Sequence, residues 1–351
     1  MTPTRQMPFP IGKRQRLAEA ADSLGLLAPL RLLHDRGRSA LTVLAYHRVV
    51  PVESFDSYPL DLDLISCSPE EFDAQMRFLR ENMNPVSLAQ VADYVDGRGT
   101  LPPRAVAVTF DDGFRDTYDH AFRALRAHAI PATVFITTGY VDSAEPFWFE
   151  LAAHLMMRVA PHSIRVPECP TALPLGPSPQ ERRDSVHVIH AVLKALPDSR
   201  RQALMADLTR EFASSIEPAA ADLSRPVTWD EVREMSAAGV DFGSHTVTHP
   251  NLAQLGDADL NYELTESRRV MERQLGREVL SVAYPFGTPS AYSERVLVAA
   301  GNAGYRIGMS YVPGVNWPGA MPRYELRRKG VSFWMSPAYF RALLSLPEWI
   351  H

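Results

Sequence analysis

The sequence predicts an α/β chain whose strands alternate with helices and close, or nearly close, into a β/α barrel. Three observations lead there. Apolar runs of strand length recur along the chain, separated by stretches with helical spacing, the pattern of parallel strands joined by helical crossovers. Seven such runs and a weaker eighth are present, which suits a barrel of seven or eight units. The residues able to do chemistry fall just past the carboxyl ends of these runs, where β/α barrels carry their active sites.

The elements follow in chain order. Residues 1–40 form an N-terminal extension with seven Lys/Arg against three Asp/Glu. Leu17, Leu24, Leu27, Leu30 and Leu33 could share a helical face there, interrupted by Gly25 and Pro29. A helix packed on the domain is expected, with peripheral contact to an anionic membrane surface as the alternative. The barrel portion, 41–351, opens with a strand at Leu41–Tyr46. A helix follows at Pro69–Asn84: Ser68 can cap it, Glu70 and Glu71 occupy its first turn, and Phe72, Met76 and Leu79 line one face. The weak strand is Pro85–Leu88. Next come a strand at Ala105–Phe110, a helix at Asp116–His128 and a strand at Ala132–Thr137. Residues 147–227 then break the rhythm, with six prolines between Pro161 and Pro179 and helical patterns at 181–196 and 200–214. So long a connection without barrel strands implies a helical insertion or lid near the catalytic end. Strands at Val240–Gly243, Val279–Tyr284, Tyr305–Met309 and Gly330–Phe333, with a helix at Asp257–Leu275, complete the series.

Bulk properties narrow the function. With 46% hydrophobic and 22% charged residues the chain is globular. A formal net charge of −5 argues against nucleic acid as a partner. Cys67 and Cys169 form no Cys-x-x-Cys pair and are expected to be reduced thiols. The polar, proline-containing start lacks a secretory signal, and no stretch approaches the ~20 apolar residues of a spanning helix, so a cytoplasmic location, peripheral at most to the membrane, is expected.

The chemistry sits in two short stretches. Asp111 and Asp112 follow the apolar run Ala-Val-Ala-Val-Thr-Phe, and His245 and His249 lie in Gly-Ser-His-Thr-Val-Thr-His-Pro. One carboxylate and two imidazoles are a ligand set for a divalent metal with open coordination positions, zinc first among the candidates, and the spare carboxylate suits a general base. Taken singly, Asp-Asp-Gly is most often a turn, His-x-x-x-His a pair on a helix surface, and Tyr284-Pro285-Phe286-Gly287 a tight turn. Their joint placement at strand ends favours a metal-dependent hydrolase. Trp148 is expected to be buried in a core, and His154, His162, His187 and His190 in the insertion are assigned no chemistry.

These segments resemble the polysaccharide deacetylase family, also called the NodB-homology domain or carbohydrate esterase family four. Thr109-Phe110-Asp111-Asp112-Gly113, Ser244-His245-Thr246-Val247-Thr248-His249-Pro250 and Ala283-Tyr284-Pro285-Phe286-Gly287 look like its three motifs in order. Leu44–Val49, Ile130–Phe135, Asn251-Leu252, Glu263 and Ser267 are also similar. The resemblance implies a distorted (β/α)7-8 barrel that removes acetyl groups from N-acetylated amino sugars in a polysaccharide, oligosaccharide or glycolipid. It implies metal binding by Asp112, His245 and His249, and general-base catalysis by Asp111. Tyr284, Pro285 and Phe286 fall on the substrate and oxyanion side, with the Phe286 backbone N–H helping to form the oxyanion site. Two departures stand out. The third-motif position that carries a base-orienting Arg in many members is Ala283 here, and no histidine follows His249 except the terminal His351. Arg328 is proposed to supply the missing charge, and His47, at the end of the first strand, to supply or relay the leaving-group proton. Two other readings compete: hydrolysis of another amide, such as a formamide or cyclic imide, and a carbohydrate-binding protein that has lost turnover.

Overall fold

The computed structural model describes residues 12–34, 40–160, 163–216 and 222–348; residues 1–11, His162 and His351 lie outside the described residues. At its centre is a curled sheet of parallel strands. Their order is Ile307–Met309, Ser281–Ala283, Asp241–Ser244, Ala132–Ile136, Ala105–Phe110, Leu41–Tyr46 and Lys329–Gly330, with Asn84–Pro85 added beside the start of Ala105–Phe110. All these pairings are parallel. The path is open between Met309 and Lys329. There the irregular segment before Lys329 crosses: Leu326 N–H donates to the Gly308 carbonyl at 2.9 Å, and Ser310 N–H to that of Leu326 at 2.9 Å. The result is the distorted barrel that the alternation of strands and helices implies.

The best-formed strands are those whose residues are buried throughout. Leu41–Tyr46 and Ala105–Phe110 are buried at all six positions and pair residue for residue, as fits parallel strands covered on both faces. Ser281–Ala283 and Ile307–Met309 are shorter than their apolar runs. Val279, Tyr284 and Tyr305 are buried but lie outside the ladder.

Two strand expectations are corrected. Of the Pro85–Leu88 run only Pro85 is in a strand; Ser87 caps a helix at Leu88–Val95 through a reciprocal capping box with Gln90. The last strand is Lys329–Gly330 rather than Gly330–Phe333, because Phe333 turns away to pack on Phe55 at 4.8 Å. The Pro69–Asn82 helix has the Ser68–Glu71 capping box and buries Phe72, Met76 and Leu79. The stretch expected as one helix at 116–128 opens with a π-helical turn, Thr117–Ala121, before the α-helix Phe122–Ala127.

Residues 147–227 carry the helices Trp148–Arg158, Pro179–Ala195 and Asp198–Glu211, and a short antiparallel pair, Ser163–Ile164 with Leu173–Pro174. They form a hydrophobic cluster that includes Phe149, Met156, Ile189 and Leu204 and takes Phe114 from the barrel. A buried ion network ties this cluster to the barrel. Arg48 donates to Asp116 at 2.9 Å, to Tyr58 Oη at 2.9 Å and to Glu150 at 2.8 Å. One guanidinium thus faces two fully enclosed carboxylates, and burial pushes Glu150 up to about 7 in spite of its ion pair.

Near the N-terminus, helices Lys13–Ser23 and Leu27–His34 are separated at Gly25, whose φ is +68°. They bury Ala18 and Leu27, and Asp22 pairs with Arg341 of the Pro337–Ser345 helix. Leu17, Leu24, Leu26 and Leu32 remain exposed. Among the described residues no helix is long and apolar enough to cross a membrane. Cys67 and Cys169 are free thiols, both buried.

Candidate active site

Three chain segments converge at the carboxyl-end mouth of the barrel. Asp111 and Asp112 follow Ala105–Phe110, His245 follows Asp241–Ser244, and His249 lies four residues further on. Ligand-capable atoms of Asp112, His245 and His249 all lie within 4.8 Å of one another. Asp112 Oδ1 is 3.4 Å from His245 Nε2 and 3.3 Å from His249 Nε2. The three side chains are buried, and Asp112 Oδ2 and His249 Nδ1 have no hydrogen-bond partner.

The backbone is bent hard to bring them together. Of seven non-glycine residues at positive φ among the described residues, four belong to these motifs: Asp112, Thr246, His249 and Phe286. Such conformations cost of order 1–3 kcal/mol each and persist where the surroundings enforce them. The enforcement is visible. The Glu263 carboxylate accepts from Val247 N–H at 2.7 Å, Thr248 N–H at 3.0 Å and Thr248 Oγ1 at 2.7 Å, clamping the loop between the two histidines. Gly113 has φ +86°, and a Cβ there would lie 2.8 Å from Ile136 Cγ2. Sequence and packing therefore both require glycine after the two carboxylates.

The histidines are held in forms suited to metal. His245 Nδ1 lies 2.7 Å from the Ala283 carbonyl and donates to it, so Nε2 is the nitrogen turned to Asp112; burial lowers His245, but Asp112 and Asp111 outweigh it and leave it above its ordinary value. Burial lowers His249 to about 4, keeping it neutral. Burial raises Asp112, but its contacts with both histidines outweigh this and hold it well below the ordinary carboxylate range. A buried carboxylate oxygen with no protein partner, beside two imidazoles, fits a divalent cation.

Asp111 is fixed separately. Arg328 Nη1 and Nη2 donate to its two oxygens, each at 2.7 Å, a two-point grip between side chains that are almost wholly buried. Burial pushes Asp111 up; Arg328 first, then His245 and His47, pull it below its ordinary value. His47 Nε2 is 3.9 Å from Asp111 Oδ2, beyond a direct hydrogen bond, and its ring lies 5.6 Å from that of Tyr311.

The cavity over these groups has a volume of about 210 Å³. His47, Asp111, Asp112, His245, His249, Tyr284 and Phe286 all line it. Arg328 and Pro285 do not. Arg328 is buried and reaches Asp111 from within the barrel. Pro285 is buried in the third-motif turn, its carbonyl accepting from Gly287 N–H at 2.7 Å. Tyr284 is fully buried, its hydroxyl donating to the Tyr324 carbonyl at 2.9 Å and its ring packed on Tyr292. The Phe286 ring stands edge-on to His249 at 5.0 Å. Trp148 is buried and donates to the His249 carbonyl at 3.3 Å.

Sequence reasoning missed one wall of the cavity. Phe149, His190 and Lys194 come from residues 147–227, and Asp61, Asp63 and Leu64 from the loop after the first strand. His190 Nδ1 faces Asp61 at 3.3 Å and its Nε2 faces the Phe149 carbonyl at 2.8 Å, so this histidine is tied at both nitrogens. Lys194 lies 5.2 Å over the Phe286 ring. Only the helical spacing of His187, His190 and Lys194 hinted that they share a face.

A parallel barrel with this cluster at its mouth fits the class of metal-assisted hydrolases. Within that class the chain belongs to the polysaccharide deacetylase family, whose profile matches residues 98–308, more than half of its length. The Bacillus subtilis protein YxkH, provisionally named a polysaccharide deacetylase, is 21% identical over 280 residues, 78% of this chain and 69% of that protein. A poly-β-1,6-N-acetyl-D-glucosamine N-deacetylase of Staphylococcus aureus is 29% identical over 119 residues, covering 32% of this chain and 41% of that enzyme's own length. Among solved structures, the Streptococcus pyogenes deacetylase PplD in complex with acetate superposes with a TM-score of 0.56 at 19% identity, over 86% of this chain and 96% of the other. IcaB from Ammonifex degensii gives 0.54 at 20% identity, over 88% and 96%. The barrel expected from the sequence is thus the fold of this family.

Proposed function

We propose that this protein is a metal-dependent deacetylase that removes acetyl groups from N-acetylated amino sugars, with a poly- or oligosaccharide of N-acetylglucosamine type as substrate. The observation that carries the reading is the pairing of two sites: the clustered donors of Asp112, His245 and His249, and a second carboxylate, Asp111, fixed beside them by Arg328. The similarity to poly-β-1,6-N-acetyl-D-glucosamine N-deacetylases supports the sugar class.

Asp112, His245 and His249 would hold the ion, for which zinc is the first choice given one oxygen and two nitrogen ligands. Such an ion supplies Lewis acidity and a more acidic water. The chain's own groups do the rest. Asp111, kept ionised by Arg328, accepts a proton from the attacking water. Phe286 lines the cavity, and its backbone N–H would serve the developing oxyanion. His47 faces Asp111 across a gap that one water can bridge, which suits it to return a proton to the leaving amine. Tyr311 is a poor acid because burial pushes its phenol far up, and His190 is tied at both nitrogens. The reading without turnover rested on Ala283 and on the missing late histidine; the Arg328 grip on Asp111 answers the first, and the test of His47 as the proton donor addresses the second.

The same reading allows docking at an anionic membrane. Exposed Leu17 and Leu32 lie on the helical pair and exposed Leu24 and Leu26 in the turn between its helices, with exposed Lys13, Arg14 and Arg16 on the first helix.

The test measures acetate released from N-acetylglucosamine oligomers together with bound metal. Asp111→Asn should keep its metal and lose about 10²–10⁴-fold in turnover. His245→Ala should lose the metal. Formate released in place of acetate from matched substrates, or full metal in His245→Ala, would overturn the reading.

A further inference from the structure

The catalytic cavity has a neighbour. Asp61 and Asp63 line it on one side and also line a second cavity, likewise of about 210 Å³. The second cavity is built from three distant parts of the chain. Phe55 and Asp56 come from the loop after the first strand, Trp334 from the segment after the last strand, and Gln180 and His187 from the first half of the Pro179–Ala195 helix. Neither its shared wall nor its helical side belongs to the three motifs of the catalytic centre.

Its chemistry is specific. Phe55 stacks on Phe333 at 4.8 Å and lies 5.9 Å from Trp334, and Trp334 packs on Phe333 at 3.8 Å. Phe333 is buried, whereas Phe55 and Trp334 are only half-buried, so this aromatic stack is a platform with an open side. Exposed Asp56, Gln180 and His187 bring hydrogen-bonding groups to the rim. A pyranose has C–H groups on its faces and hydroxyls around its edge, and an aromatic face ringed by polar side chains matches both. The platform is also fastened in place. Arg183 is buried and donates to the carbonyls of Phe55, Tyr58 and Leu60, locking the helix to the 55–60 loop. A site held in advance loses little ordering free energy on binding.

We propose that this cavity is a second sugar subsite, which takes a neighbouring unit of the saccharide whose acetamido group lies over Asp112, His245 and His249. The inference rests on the deacetylase reading and sharpens it: the substrate is an oligomer or polymer that crosses the Asp61–Asp63 ridge, not a single sugar. Residues 147–227 then contribute to recognition of chain length.

The experiment compares β-1,4- and β-1,6-linked N-acetylglucosamine oligomers from one to six units. In the wild type, kcat/KM for acetate release should rise with length, mainly through KM. Trp334→Ala removes the platform. Gln180→Trp fills the cavity from an exposed helix position and cannot disturb a core. Each should cut the gain from monomer to hexamer by about tenfold, the worth of one good aromatic contact. Titration calorimetry of the hexamer with Asp111→Asn protein, alone and combined with each change, separates binding from turnover. Length-dependent binding that both changes weaken supports the subsite even if no acetate appears, in which case only the deacetylase reading falls. Binding and turnover that ignore length, or a length gain that survives both changes in folded, metal-replete protein, would overturn the proposal.

Discussion

Replacing Arg328 by Met tests how Asp111 is kept ready to accept a proton. The pair is almost wholly buried, and its two 2.7 Å contacts are the main counterweight to burial at Asp111. Met keeps much of the volume of a side chain packed 5.3 Å from the Tyr311 ring, and removes the charge and both donors. Breaking one side of a buried pair leaves the other charge uncompensated, at about 3–5 kcal/mol. Without that counterweight burial favours the protonated carboxyl, so the Asp111 pKa should move upward. The carboxyl would then hold its proton through much of the range where the wild type is ionised. The acidic limb of the kcat/KM profile should move to higher pH, with activity falling about tenfold per pH unit below it and recovering in base. Arg328→Lys restores the charge without the two-point geometry and should fall between. The assay is acetate release from pH 5 to 9.5 on metal-replete protein, with bound metal measured in every sample. A wild-type acidic limb in Arg328→Met would refute the reasoning, since Asp111 would then owe its ionisation to something else.

Other consequences follow from the same structure. Glu150 is raised from 4.5 to about 7 by burial, so between those values the folded chain holds a proton that the unfolded chain lacks. Stability should therefore fall as pH rises through that window, by about 3 kcal/mol at most, and Glu150→Gln should flatten the slope; identical slopes in urea unfolding from pH 4.5 to 8 would contradict this. His47→Gln should impair hydrolysis of an acetamide far more than that of an activated acetyl ester, whose leaving group needs little protonation; equal losses on the two would remove His47 as the acid. Leu24→Glu with Leu26→Glu should abolish sedimentation with vesicles rich in phosphatidylglycerol and leave the melting temperature unchanged, because both side chains are exposed; unaltered sedimentation would separate these helices from any membrane role.

The parts of the fold legible in the sequence are those where burial and hydrogen bonding coincide. Leu41–Tyr46 and Ala105–Phe110 are enclosed on every side and paired over their whole length, so each apolar run is also a strand. Where the two properties part, the sequence reads too long. Val279, Tyr284 and Tyr305 are buried and so extend the apolar runs, although they lie outside the paired strand residues, with only the Tyr284 N–H reaching across to the Met309 carbonyl. The helix Leu88–Val95 was hidden behind Pro85 and Val86, although its signal was present in Ser87 and Gln90. In the site, Asp112, His245 and His249 were legible because each lies at or just after a strand end, where local sequence fixes position. Asp61, His190 and Lys194 were not, because only the packing of residues 147–227 on the loop near residue 60 brings them to the cavity.

Arg328 marks the boundary between these two kinds of information. A general base needs a fixed positive charge behind it, and the geometry of a barrel mouth does not dictate which strand provides it. Ala283 ends a strand three places from that of Asp111 in one direction around the sheet, while Arg328 immediately precedes a strand two places away in the other. Here it is Arg328 that reaches the carboxylate. The backbone at Ala283 acts on His245, one of the three candidate metal donors. Its carbonyl fixes the Nδ1 proton of His245 and so directs Nε2 to Asp112. One motif position thus serves the candidate metal donors, and the charge that grips Asp111 arrives from the opposite side. A motif that lacks its arginine therefore says little about lost turnover until the whole ring of strand ends has been searched for a replacement.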